Sequence, residues 1–307
     1  MTTPSIAIDA GGRSVRRQGV DVRGLLFAGV LLIALLFSLA ILAVLVGTQL
    51  YQALPVFAER GVDFLTSDLS SNPANAGVAQ GIIGTALLVT IVALVAFPIG
   101  IMTAIYVEEF SADNTFARFV DINIRNLAGV PSVVYGVLGL TVFVAMLSAL
   151  GDGNGKTVIS GGLTLAVLIL PLVIITSAEA IRAVPTALRE GGFGLGASRW
   201  QVVRQLILPA AAPGILTGTV LSLSRAIGET APLILVGAAS FVAFNPEGLD
   251  SRFTELPIQI FDWISRASND VNNYKPLAAA AILFLMILLL LMNSVAIWLR
   301  NRYEQKW

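Results

Sequence analysis

Neither cysteine nor histidine occurs in the 307 residues. Their absence removes disulfide bridges, Cys/His metal sites and every mechanism built on a thiol nucleophile or an imidazole base. It identifies no compartment, because a cysteine-free chain is compatible with oxidising and reducing surroundings alike. Charge is scarce as well: Asp, Glu, Lys and Arg supply 12% of the chain, where a soluble domain carries roughly 25%. Nineteen basic and 19 acidic residues cancel to a formal net charge of zero, so the total gives no reason to expect nucleic acid or another strongly charged partner. What is present is apolar: 56% hydrophobic residues and a mean hydropathy of +0.84. That is the composition of a membrane protein.

Six runs, at roughly 24–50, 79–106, 122–149, 161–180, 213–239 and 277–299, reach the length of about 20 residues that a helix needs to cross a bilayer. The first is too long for the apolar part of a signal peptide, about 7–15 residues. Pro98 and Pro171 fall inside the second and fourth runs, where neighbouring helices can satisfy the carbonyls that a kink frees. No internal repeat supports an inverted-repeat carrier. The expected fold is all-α, with six transmembrane helices.

Lys and Arg set the orientation. Arg13, Arg16, Arg17, Arg23, Arg118, Arg125, Arg182, Arg189, Arg199, Arg204, Arg300, Arg302 and Lys306 fall on one side, against Arg60, Lys156, Arg252, Arg266 and Lys275 on the other. The positive-inside bias puts both termini in the cytoplasm. Residues 1–23 read as a basic cytoplasmic tail near anionic headgroups, 24–75 as a first helix and outer loop, and 76–300 as a five-helix core. That core carries a long cytoplasmic loop at 181–212, and 301–307 form a second tail. Leu256 to Ile264, in the last outer loop, has the apolar spacing and the tryptophan of a short helix lying in the interface.

One motif is set aside. Gly155-Lys156-Thr157 ends like a phosphate-cradling loop, which requires another glycine five positions earlier. Leu150 stands there, no strand precedes it, and the segment lies in an outer loop. No nucleotide site is expected in this chain.

Arg225 and Glu229 are the ionisable pair set deepest in an apolar run. A charge at the bilayer centre costs a few kcal/mol even on lenient scales and is normally retained for a job. Four residues apart, the two share a helix face and can pair. At about 100° per residue, Gly214, Gly218, Ser222, Arg225 and Glu229 fall on one arc of about 80°, a small-residue stripe suited to close helix packing. The pair either locks the bundle by mutual neutralisation or forms an anion site. Guanidinium presents a planar fork of donors matched to phosphate oxygens. Glu229 then holds Arg225 and accepts a proton from a bound phosphate; fully ionised sulfate has none to give.

Weaker candidates surround this pair. Ser132, Thr219, Ser222 and Thr230 offer hydroxyls to an anion or simply pack. Arg182 is either an inner-mouth anion contact or an ordinary positive-inside residue, with Glu179 placed to pair with it three residues away. Glu108-Glu109 meets a partner or is solvated.

Four segments carry a family resemblance. Glu190-Gly191-Gly192, Gly196 and Leu206-Ile207-Leu208-Pro209 keep the spacing of the coupling loop of ATP-binding-cassette importer permeases, with Gly for Ala at 191 and 192 and Leu for Ile at 206. Ser224 to Leu233, containing Gly228-Glu229-Thr230-Ala231-Pro232, Asn126 to Gly136, and Phe97-Pro98-Ile99-Gly100-Ile101 through Tyr106 to Phe110 resemble the fifth, third and second helices of phosphate-importer permeases of the PstA type. The resemblance covers about residues 76–300. It implies the type I importer permease architecture and a non-catalytic subunit of an ATP-driven phosphate importer in a prokaryotic inner membrane. It also implies three kinds of partner: a homologous PstC-type permease, two copies of a PstB-type ATPase that bind the ATP and Mg, and an external PstS-type phosphate-binding protein. In this chain Arg225, Glu229, Ser222, Thr230 and Arg182 would line the path.

Glu190, Gly191, Gly192, Gly196, Arg199, Trp200, Leu208 and Pro209 would seat the loop on the ATPase as a short helix-turn-helix. Gly191, Gly192, Gly194 and Gly196 would make its tight turns, Arg199 and Trp200 would anchor it, and Pro209 would end it before the fifth helix. An importer of molybdate or sulfate is the alternative within this class. A stand-alone anion carrier would not need the docking pattern, and an intramembrane enzyme lacks carboxylates at catalytic spacing.

Overall fold

The computed structural model describes residues 22–111, 115–151, 153–238, 242, 244–246, 248–266 and 273–303. Arg13, Arg16, Arg17 and Lys306, in the two tails, lie outside the described residues. Among the described residues the secondary structure is helical throughout, and six helical stretches are long and apolar enough to cross a membrane.

Helix α1 (Val22–Arg60) runs well past the expected end near residue 50. Arg60 therefore belongs to its last turn, not to a loop, and its guanidinium donates to Ala76 O at 2.6 Å. The short α2 (Asp63–Thr66) follows. Helix α3 (Ala79–Ile105) continues as a π turn, Tyr106–Phe110. The third apolar run is broken rather than continuous: α4 (Thr115–Ala128) ends in a bend at Gly129 to Pro131, and α5 (Ser132–Gly139) leads through a π turn into α6 (Ala145–Ala149). Pro131 is the cause. Its ring excludes a helical ladder across the bend, but it sits comfortably as the cap of α5 with ψ 137°.

Helix α7 (Val158–Arg182) is the central element; it packs most extensively on α3 and also on α10, α5 and α4. Then come α8 (Thr186–Gly194), α9 (Arg199–Val202) and α10 (Leu208–Ile227), the last two joined by a π turn at Val203–Ile207. The fifth span thus starts at Arg199, and Pro209 lies within a continuous helical stretch instead of ending the loop. A π turn directly before a proline shifts the hydrogen-bond register where the missing N–H would otherwise break it. Helices α11 (Ala231–Val236), α12 (Leu256–Ser265) and α13 (Lys275–Tyr303) complete the fold.

The chain divides into two compact units, residues 1–51 and 52–307. In the first, the described stretch of α1 exposes Leu, Ile, Val and Phe on every side, the pattern of a helix solvated by lipid. In the second, three apolar clusters form the core. One gathers Phe64, Trp263 and Tyr274 with Leu256 and the alanines at 278–281. Another joins Leu88, Ile169, Val173, Leu233 and Phe253, and the third Ile181, Val203 and Ile207. Helix α12 forms where expected, with Leu256, Ile258, Gln259, Ile260 and Trp263 buried against α3 and α13 and Phe261 and Ile264 exposed on its other face. Trp263 stacks on Tyr274 at 6.1 Å, so its ring fills a core.

Candidate functional site

The fifth span does not carry Arg225 and Glu229 on one helix. α10 ends at Ile227, Gly228 closes it, and Glu229 and Thr230 are non-helical before α11 begins. In an unbroken helix Pro232 would press its ring on the Gly228 carbonyl and leave that group without a donor. Proline is instead taken up in the first turn of α11, where a donor is not needed. Gly237, at φ 101°, closes that short helix in the left-handed region. The pair survives the break: Arg225 Nε donates to Glu229 Oε1 at 3.4 Å.

The two partners differ in surroundings. The Arg225 side chain is 57% exposed and that of Glu229 is 18% exposed. Arg225 also borders a small cavity with Ser132, Tyr135 and apolar residues of α7. Tyr135 fixes the far wall, donating from Oη to Leu127 O at 2.8 Å across the Pro131 bend. Helix α11 is held close to α5 because position 136 is glycine; a Cβ there would lie 2.7 Å from Pro232 Cα. Two broken spans therefore meet beside the guanidinium.

The hydroxyls divide. Ser132 lines the cavity and Thr230 is half-buried at the break. Ser222 is fully buried and donates to Gly218 O at 2.7 Å, and Thr219 donates back to Ile215 O at 3.0 Å; both serve their own helix. The small-residue stripe packs as its spacing suggested, with Gly214 against Ala180 and Gly218 against Thr176 of α7.

Arg182 does not pair with Glu179 at its own helix end. It makes a two-pronged ion pair with Glu108, with Nε 3.2 Å from Oε2 and Nη2 on Oε1. Glu179 borders a separate cavity with Gly214, Thr217 and Arg300.

The loop from α8 to α9 is a helix-turn-helix. Only Gly196 of its glycines takes a left-handed φ, 81°; Gly191, Gly192 and Gly194 are helical residues of α8. Gly192 matters for another reason, since a Cβ there would meet Val202 at 2.8 Å and Leu206 at 2.9 Å. Ser198 and Gln201 form a reciprocal capping box that starts α9. Glu190 is exposed, as are Phe193, Leu195 (91%) and Trp200 (52%). Trp200 also leans on Phe110, ring centroids 6.5 Å apart, and Arg199 lies over the same ring at 5.9 Å. Leu208 is half-buried and Pro209 exposed within the fifth span.

One residue escaped the sequence reading. Glu255, at the start of α12, is 1% exposed, and its Oε1 has no hydrogen-bond partner among the described residues. Burial pushes its carboxyl well above the usual carboxylate range, and the negative charge of Glu229 adds to that. The only local hint is a lone carboxylate wedged between Thr254 and the apolar run from Leu256.

The setting is thus a set of membrane-length helices around α7, with two spans broken beside Arg225 and a helix-turn-helix between the fourth and fifth spans. Residues 96–306 match the family described as the binding-protein-dependent transport system inner membrane component, and the chain belongs to that family. It is 35% identical over 225 residues to the probable ABC transporter permease protein YqgH of Bacillus subtilis, covering 72% of each chain. It is 30% identical over 263 residues to the phosphate transport system permease protein PstA of Haemophilus influenzae, covering 83% of this chain and 90% of the other. A bacterial alginate ABC transporter structure superposes over 92% of this chain and 96% of its own with a TM-score of 0.63 at 17% identity, which shows the shared fold. The protein is a multi-pass membrane permease of a binding-protein-dependent ABC importer, of the PstA type.

Proposed function

We propose that this permease imports inorganic phosphate through a prokaryotic inner membrane, with Arg225 as the anion contact of the path. The observation that carries the reading is a guanidinium 57% exposed within a membrane-spanning stretch, held by one carboxylate at a helix break. Such a charge cannot face lipid without a penalty of several kcal/mol. It requires an aqueous path or a covering protein, and a homologous PstC-type permease would supply both. Thr230 and Ser132 stand near enough to the break to offer hydroxyls. The names borne by relatives such as the Haemophilus influenzae PstA support phosphate over molybdate or sulfate.

In this reading both termini are cytoplasmic. The helix-turn-helix from Glu190 to Trp200 seats on one of two PstB-type ATPases, which bind ATP and Mg, and a PstS-type protein delivers phosphate from outside. Exposed Phe193 and Leu195 suit a docking surface because apolar groups at the tip of a loop are costly unless covered. Glu229 discriminates phosphate from sulfate by accepting the proton that only phosphate carries.

The test is uptake of labelled phosphate at low external concentration in cells lacking this subunit, with sulfate as competitor. Restored uptake by the intact chain and its loss in Arg225→Gln, with the protein still inserted, is the expected result. Sulfate competing as well as phosphate would reassign the substrate to another oxyanion. An Arg225→Gln protein that transports normally would remove Arg225 from the path.

A further inference from the structure

The π turn at Tyr106–Phe110 gathers both arms of the docking loop onto the end of α3. Each of its last three residues holds a different piece. Glu108 takes Arg182 from the end of α7 in a two-pronged ion pair. Glu109 takes Arg189 from α8, with Nε at 3.1 Å and Nη2 at 2.9 Å from the same oxygen. Phe110 takes the start of α9, lying 6.5 Å from the Trp200 ring and 5.9 Å beneath Arg199.

The Glu109–Arg189 contact is the more buried of the two ion pairs. The two side chains are only 9% and 21% exposed, so the charges are screened little by water. Arg189 spends its remaining donors on the end of α7, reaching Ile181 O at 2.9 Å and Val184 O at 2.7 Å. Ile181 O also accepts from Val184 N–H at 3.2 Å, so the guanidinium adds a second donor at the end of the helix. One guanidinium thus fastens α8 to two membrane spans at once. It stands one residue from Glu190, on the helix read above as the ATPase seat.

We infer that Glu109 and Arg189, backed by Phe110 against Trp200, form the mechanical link that carries movement of the docking loop into α3 and α7. The inference rests on the ATP-coupled reading above. A loop that merely docked would need no buried tie to the spans, and a rotation of α8 without this tie would slide past α3. Both residues are positioning residues; neither touches the transported anion.

The chain's lack of cysteine makes the test direct. Glu109→Cys with Arg189→Cys is prepared in this otherwise cysteine-free chain and assembled in proteoliposomes with its ATPase, second permease and binding protein, whose own reactive cysteines are first replaced. Phosphate uptake and ATP hydrolysis are measured before and after bridging by a short bifunctional thiol reagent. The unbridged pair is expected to lose uptake about tenfold while hydrolysis stays within about twofold, the size of effect typical of residues on a coupling route. Bridging should restore uptake.

Arg189→Lys, which keeps the charge but not the fork, should fall between parent and unbridged pair in uptake per ATP hydrolysed. A general folding defect would lower hydrolysis and uptake together and would not respond to the bridge. Uptake unchanged in the unbridged pair, or unrestored by bridging, overturns the link. Absence of ATP-dependent phosphate uptake by the parent transporter would instead overturn the function on which it rests.

Discussion

Gly84 gives the sharpest test of how the segment before α12 is seated. A Cβ at this position would lie 1.8 Å from Thr254 O and 3.0 Å from Thr254 C. Both are backbone atoms, so no side-chain rotation relieves the clash. A carbon and an oxygen settle at roughly 3.3 Å, so Gly84→Ala must push the 253–256 segment away from α3 by on the order of 1.5 Å. That movement would stretch the adjacent bond from Leu256 N to Thr85 Oγ1, now 3.1 Å and buried. It would also loosen Phe253, whose ring fills the space above Gly161.

Overpacking of this kind costs about 1–3 kcal/mol. In a chain of this size each kcal/mol lowers the melting temperature by roughly 2–4 °C. Gly191→Ala is the matched control. Nothing lies within 4 Å of its added Cβ, and the residue is inside α8, so alanine should stabilise by about 0.5–1 kcal/mol through helix propensity. Thermal unfolding of the two purified variants in detergent should move in opposite directions from the parent. Gly84→Ala melting with the parent would refute the claimed backbone contact.

Three further outcomes follow from side chains already described. Glu255 has a folded carboxyl pKa raised above its unfolded value near about 4.3. The neutral acid therefore supports folding fully below the unfolded value, and that support is lost as pH rises toward the folded one. Melting of the parent should fall over that window relative to Glu255→Gln, which fixes the neutral shape; parallel curves would show that the carboxyl is not held neutral. Tyr135→Phe removes one bond across the Pro131 bend and leaves Leu127 O only the Val130 N–H at 3.1 Å, so it should destabilise by about 1 kcal/mol, read by the same melting assay. Trp263→Ala empties the centre of the cluster with Phe64 and Tyr274 and should cost about 3–5 kcal/mol; a loss below about 1 kcal/mol would mean that the cavity collapses.

The sequence was most informative where one physical rule acts alone. Long apolar runs with few charges leave no alternative to membrane helices, since every backbone group must be satisfied inside the hydrocarbon. The helix-turn-helix between the fourth and fifth spans was legible because its spacing is local, and it appears with Gly196 at its turn. Boundaries were less legible. α1 overran its expected end, and the third and fifth spans are broken at Gly129 to Pro131 and at Gly228 to Thr230. Proline marked both breaks, but it did not mark one at Pro98 or Pro171, which lie inside continuous helices. Whether a proline bends or ends a helix depends on the neighbours available to take up the freed carbonyl.

The sequence by itself determined the solvent of this protein, its helical class and the identity of its two deepest charges, because hydrophobicity and the cost of burying charge act residue by residue. Only the tertiary structure decided partners. Arg182 chose Glu108, 74 positions away, over Glu179 on its own helix, and Arg189 chose Glu109, 80 positions away. Trp263 entered a core, and Glu255 was buried without a hydrogen-bond partner for Oε1 among the described residues. Such choices depend on which helix ends meet in space, and no local spacing encodes that.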